Sequence, residues 1–235
     1  MAYLWKRLAS PIAGVGIGLL LVGCQAQKQE GNQNSTATEK GPTAAASPNQ
    51  TLRLAAEPFE ALTEQAFTAD WAAIDKLVAD ARAAVARAAA GGEMASRGQQ
   101  RLAAIQTART AQDRVQLALA AVEGYRELIE AQDPATASPP IAVSLLDYAG
   151  FRYDALAQAP TVDWEEMARS VSFARAQWRS LAPHVSSKAM PGVVDQALAG
   201  MASAVERKDA AFARSAAATE LALVDLLEEQ ASPAR

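Results

Sequence analysis

The sequence predicts an all-α protein, built as duplicated three-helix units that form one or two antiparallel helical bundles. Three observations lead there. Alanine makes up about a quarter of residues 51–235, and Leu, Glu, Gln and Arg supply much of the rest, all strong helix formers. No β-branched run and no Asn-Gly hairpin signal occurs in that region. Apolar residues also recur every three or four positions, as on the buried face of a helix.

The elements follow in order. Residues 25–50 hold no Leu, Ile, Val, Met or aromatic residue, so they bury too little apolar surface to offset the entropy of ordering. This tract is expected to be a disordered tether. Its 26 residues would span roughly 28 Å r.m.s. at about 5.5 Å per square root of length. The sequons at Asn34 and Asn49 are read as chance in such a polar tract.

A short aromatic-bearing helix at 57–67 leads into Asp70-Trp71, where the Asp carboxylate suits a helix N-cap. About twenty helical residues then run to the breaker Gly91-Gly92. A long helix is expected over 97–131, with Leu102, Ile105, Ala108, Ala111, Val115, Ala118, Val122, Tyr125 and Ile129 on one stripe.

The Pro-rich stretch 133–140 reads as a linker between unit 1 (51–132) and unit 2 (141–235). The helix at 141–157 carries apolar residues on two adjacent faces. Tyr148, Phe151 and Ala155 form one; Leu146, Ala149 and Tyr153 form the other. It is therefore expected to be covered from two sides, where the units meet. Asp163-Trp164 repeats Asp70-Trp71 after 93 residues, and Glu166 completes a capping-box spacing. A medium helix runs to Pro183, and a long one is expected over 191–230, with Val194, Leu198, Met201, Val205 and Phe212 on its stripe. The matched spacing suggests a duplicated unit of about 92 residues with Trp71 and Trp164 as equivalent buried anchors, and Trp178, Phe212, Tyr125 and the leucines are expected as the other large anchors of the core. One fused bundle and two separate bundles fit equally well.

The first 23 residues tell where such a fold would be placed. Lys6 and Arg7 precede an uncharged stretch, Leu8 to Gly23, of 16 residues. That is short of the ~20 needed to cross a bilayer, and it matches a secretory signal peptide. It ends in Leu21-Val22-Gly23-Cys24, which resembles a bacterial lipobox. The resemblance implies diacylglycerol on the Cys24 sulfur, cleavage after Gly23 and acylation of the new amino group. Several acyl chains would anchor stably where one is marginal. Gln25, rather than Asp, follows the cysteine, which in lipoproteins of Gram-negative bacteria favours the outer membrane. Residues 24–50 are thus the lipidated cysteine and its tether.

Cys24 is the single cysteine, so the folded part can form no disulfide or thiolate metal site. Removing Lys6 and Arg7 leaves 20 basic against 26 acidic residues, net −6, which argues against nucleic acid as a partner. A di-iron bundle needs two Glu-x-x-His pairs, and His184 is the single histidine. Copper could use His184 with Met167, Met190 and Met201, but no Met-rich tract occurs and Met on a core stripe is ordinarily filler. Glu57, Glu60 and Glu64 share one helix face and read as a solvated acidic surface. Ser186 and Ser187 lie near His184 without a nucleophile elbow. The aromatic cluster 147–154, Asp-Tyr-Ala-Gly-Phe-Arg-Tyr-Asp, could line a groove.

No cofactor is therefore expected. The chain reads as an outer-membrane-anchored periplasmic lipoprotein, non-enzymatic, whose bundle binds or scaffolds an envelope protein. The alternative is a periplasmic carrier of a metal, haem or small apolar ligand. In architecture a duplicated bundle resembles iron-uptake lipoproteins of the imelysin type, though their His-x-x-Glu motif is missing here.

Overall fold

The computed structural model of the chain describes residues 46–88 and 93–231. The expected signal peptide, Cys24 and nearly all of the tether lie outside the described residues. What is described is all-α, and none of its helices is long and apolar enough to cross a membrane. In order these are α1 (Pro48–Gln65), α2 (Trp71–Ala88), α3 (Glu93–Thr110), α4 (Arg114–Glu130), α5 (Ile141–Ala157), α6 (Trp164–Leu181), α7 (Met190–Arg207) and α8 (Ala210–Ala231). A single 3-10 turn, Ala182–His184, follows α6.

Each half therefore has four helices, not the three expected. The long helices predicted over 97–131 and 191–230 are each broken, at Gln112-Asp113 and Lys208-Asp209. Both breaks are built alike. Gln112 and Lys208 take left-handed backbone, with φ of 54° and 51°. The next amide reaches back past the turn: Asp113 N donates to Ala108 O at 2.9 Å, and Asp209 N to Ala204 O at 3.0 Å. This is the Schellman closure of a helix. The same aspartates then cap the following helix, accepting from Gln116 N and from Phe212 N, both at 3.0 Å. The sequence concealed the breaks because Gln and Lys occupy a position where glycine is usual, and because the apolar period continues across the turn.

The first helix also starts earlier than the tether was expected to end. Ser47 caps Gln50 N at 3.2 Å and Pro48 occupies the first turn, where its missing N–H costs nothing. Asn49 then ties this start to the α4–α5 connection. Its amide donates to Asp133 O at 2.9 Å and to Thr136 Oγ1 at 3.0 Å, and its carbonyl accepts from Asp133 N at 2.8 Å.

Successive helices pack against one another through short connections, so neighbours run antiparallel. Contacts of α1 with α4 and of α5 with α8 close two rings of four, and α4 against α5 joins the rings. It follows that α2, α4, α6 and α8 all start at the end opposite Ser47. Each begins on an aspartate: Asp70, Asp113, Asp163 and Asp209.

Two apolar cores result, and α5 belongs to both. Leu145, Tyr148, Phe151 and Ala155 enter the core of α1–α4, while Leu146, Ala149, Tyr153 and Leu156 enter that of α5–α8. A helix apolar on nearly all sides must be covered on nearly all sides, and the two faces divide as the sequence pattern implied.

At two of the helix contacts glycine makes room for a bulky neighbour. A Cβ on Gly124 of α4 would lie 2.5 Å from ring atoms of Phe59 on α1. One on Gly150 of α5 would lie 2.7 Å from Leu221 Cδ2 on α8 and would also collide with the Glu220 carboxylate. Gly124→Ala is expected to cost about 1–3 kcal/mol by overpacking. Gly192→Ala, in α7 with nothing within 4 Å of the added methyl, should be neutral or stabilising by up to about 1 kcal/mol. Urea-unfolding midpoints of the two variants check the pair.

Candidate functional site

A network of polar side chains lies at the junction of the rings, around residues 147–154 of α5. Tyr148 projects toward α4 and α6. Its ring meets Phe173 edge-on at 5.4 Å, and the Arg126 guanidinium lies 5.3 Å from its centroid. Its hydroxyl donates to Glu123 Oε1 at 2.9 Å. Burial, together with the Glu123 charge beside it, pushes the phenol pKa up to about 12, so it remains a neutral donor.

One turn on, Arg152 reaches both ways. Nη1 donates to Glu123 Oε1 of α4 at 2.7 Å and Nη2 to Glu166 Oε2 of α6 at 2.8 Å. Arg169 adds a bond to Glu166 Oε1 at 2.6 Å, and Arg126 pairs with Glu123 Oε2 at 2.9 Å. Held by Arg169 and then Arg152, the Glu166 carboxyl falls from 4.5 to about 2. This network spends its charges on its own members. Its chemistry is that of a lock between α4, α5 and α6.

The opposite side of the junction is acidic. Tyr125 of α4 is buried and bonded to Ser144 of α5, and its pKa is raised first by burial, then by Asp147, Glu60 and Glu228. Three helices besides its own thus bring carboxylates to one hydroxyl. Tyr153, on the other face of α5, donates to Met201 O at 2.8 Å and joins α5 to α7.

A groove opens between α6 and α7. It holds about 390 Å³ and is lined by Ser172, Arg175, Trp178, Arg179, Asp195 and Leu198. The Trp178 indole N–H donates to Asp195 Oδ1 at 2.8 Å, which fixes the ring as the groove's floor. The interior void beside Phe59, Val85 and Gly124 holds only about 10 Å³, no more than about one water.

Among the residues singled out from sequence, Cys24 lies outside the described residues. His184 is exposed at the end of the 3-10 turn, while Met167, Met190 and Met201 are buried in the second core. Ser187 Oγ accepts from Met190 N at 3.4 Å, a bond at the helix start. Glu57, Glu60 and Glu64 are half-buried along α1.

Trp71 and Trp164 are half-buried and lie at the edges of their cores, so the expectation of two buried anchors is corrected. Directly after a cap, a side chain sits at the bundle's end, where coverage is thin. Trp71 is instead roofed by Arg109 and Arg114, at 4.6 and 4.4 Å. Trp178, also expected as a large core anchor, is buried on a stripe with Met167, Val171, Ala174 and Leu181. No protein family profile, no curated protein and no solved structure matches this chain.

Two outcomes follow from this geometry. Trp178→Ala should destabilise by about 3–5 kcal/mol, as for truncation of a buried indole, and Trp71→Ala by clearly less in the same denaturation series. The folded pKa of Glu166 is depressed, so its stabilisation is present above the ordinary carboxylate range and is lost as pH falls from 4.5 through about 2. Thermal midpoints of Glu166→Gln measured across that window should show a shallower acid decline than those of the parent.

Proposed function

We propose that this chain is a bacterial lipoprotein, anchored through Cys24 to the outer membrane and facing the periplasm, whose helical part is a non-enzymatic binding or scaffold module for an envelope protein. The observation that carries the reading is the run Leu21-Val22-Gly23-Cys24 at the end of a basic-then-apolar leader, followed by a polar tract. The way α1 begins supports it. The Asn49 clasp to Asp133 and Thr136 gives a tether a firm point of attachment to the bundle.

The binding role draws support from how the charges are used. Arg152, Glu123, Glu166 and Arg126 hold the helices together rather than facing a cleft. The groove on α6 and α7, by contrast, opens outward. We also propose that the two rings descend from one duplicated four-helix unit. The paired aspartate caps, 93 residues apart at Asp70 and Asp163, and the two breaks built alike at Gln112-Asp113 and Lys208-Asp209, support that descent.

The anchoring is tested by feeding a clickable palmitate analogue to an expressing Gram-negative bacterium and fractionating its envelope. The parent chain should incorporate the label and sediment with the outer membrane. Cys24→Ser should lose both. A Cys24→Ser chain that keeps label and membrane association would overturn the anchor.

A further inference from the structure

We infer that the groove between α6 and α7 receives an acidic segment of a partner polypeptide, an inference that rests on the binding-module function proposed above. Its first wall is one face of α6. Ser172, Arg175 and Arg179 follow at spacings of three and four, which places them in a line on one helix face, where residues four apart have Cβ atoms about 6 Å from each other. Arg169, earlier on the same helix, is committed to Glu165 and Glu166. Arg175 and Arg179 have no carboxylate partner among the described residues; Arg179 Nε donates to the Arg175 carbonyl at 3.3 Å. Two neighbouring guanidiniums at the lip of a groove match two carboxylates, in a chain that is acidic as a whole.

The floor and the second wall narrow the occupant further. Trp178 and Leu198, both nearly fully buried, present an apolar floor, and the indole N–H is already satisfied by Asp195. A carboxylate accepts about four hydrogen bonds, so Asp195 retains capacity for more donors. A peptide offers what both walls need: acidic side chains for Arg175 and Arg179, backbone N–H groups for Asp195, and an apolar side chain for the floor. A groove of about 390 Å³ is large enough for one such side chain and its neighbours.

The test uses the full chain in its host envelope, with a photo-crosslinking amino acid at Ser172 or, as a control, at exposed Arg82 on α2. The cross-linked partner peptide is sequenced by mass spectrometry. The expected result is an adduct from position 172 whose peptide carries at least two Asp or Glu residues around an apolar one. Its yield should fall at least tenfold in R175Q/R179Q and return substantially in R175K/R179K. An adduct indifferent to R175Q/R179Q, or a peptide without acidic residues, overturns the inference. With the same cross-linker also placed on other exposed positions of each helix, adducts from those but none from 172 would sink the groove while leaving the binding module standing. No adduct from any position would count against the binding module itself.

Discussion

Everything in this fold depends on α5 being buried on two sides. A helix that offers a single apolar stripe can complete one bundle. The helix from Ile141 to Ala157 offers two, one carrying Tyr148 and Phe151 and the other Leu146 and Tyr153, and so it completes two bundles at once. The rings are consequently fused rather than strung together, and neither can close its core without the same seventeen residues. Polar side chains on this helix strengthen the constraint. Arg152 ties α5 to α4 and α6, and the Tyr153 hydroxyl ties it to α7.

Small residues make such a shared helix possible. Axes can approach only where side chains are short, and Ala149, Gly150 and Ala157 supply that on α5 as Gly124 does on α4. The large side chains then carry most of the burial energy, at ~0.8 kcal/mol per methylene. Phe59 over Gly124 and Leu221 over Gly150 are two forms of one solution, a bulky side chain on one helix facing bare backbone on the next.

The sequence made the fold class, the double face of α5 and the caps at Asp70 and Asp163 legible, because periodicity and capping are local properties. It did not expose the two reversals at Gln112 and Lys208. There the helix ends through a backbone conformation, and the residues adopting it carry no distinctive side chain. Two of the expected anchors were misjudged for a similar reason, although Tyr125 and Trp178 are buried as expected. Trp71 and Trp164 stood out by repetition, whereas the depth of a side chain depends on how far along the bundle it sits, and Trp178 sits deeper. The α6–α7 groove was least visible of all. Arg175, Arg179 and Asp195 are ordinary surface residues until two helices place them on facing walls, and the Trp178–Asp195 bond spans 17 residues of sequence.

The Asn49 clasp bears on how the bundle would carry mechanical load. A pull applied at Ser47 does not reach α1 alone, because three hydrogen bonds pass part of it to Asp133 and Thr136 in the connection between α4 and α5. The force therefore enters both rings at their shared edge. Peeling α1 away like the first tooth of a zipper would require breaking that clasp first, and beyond it the load runs along the helix axes, where packed side chains resist in shear.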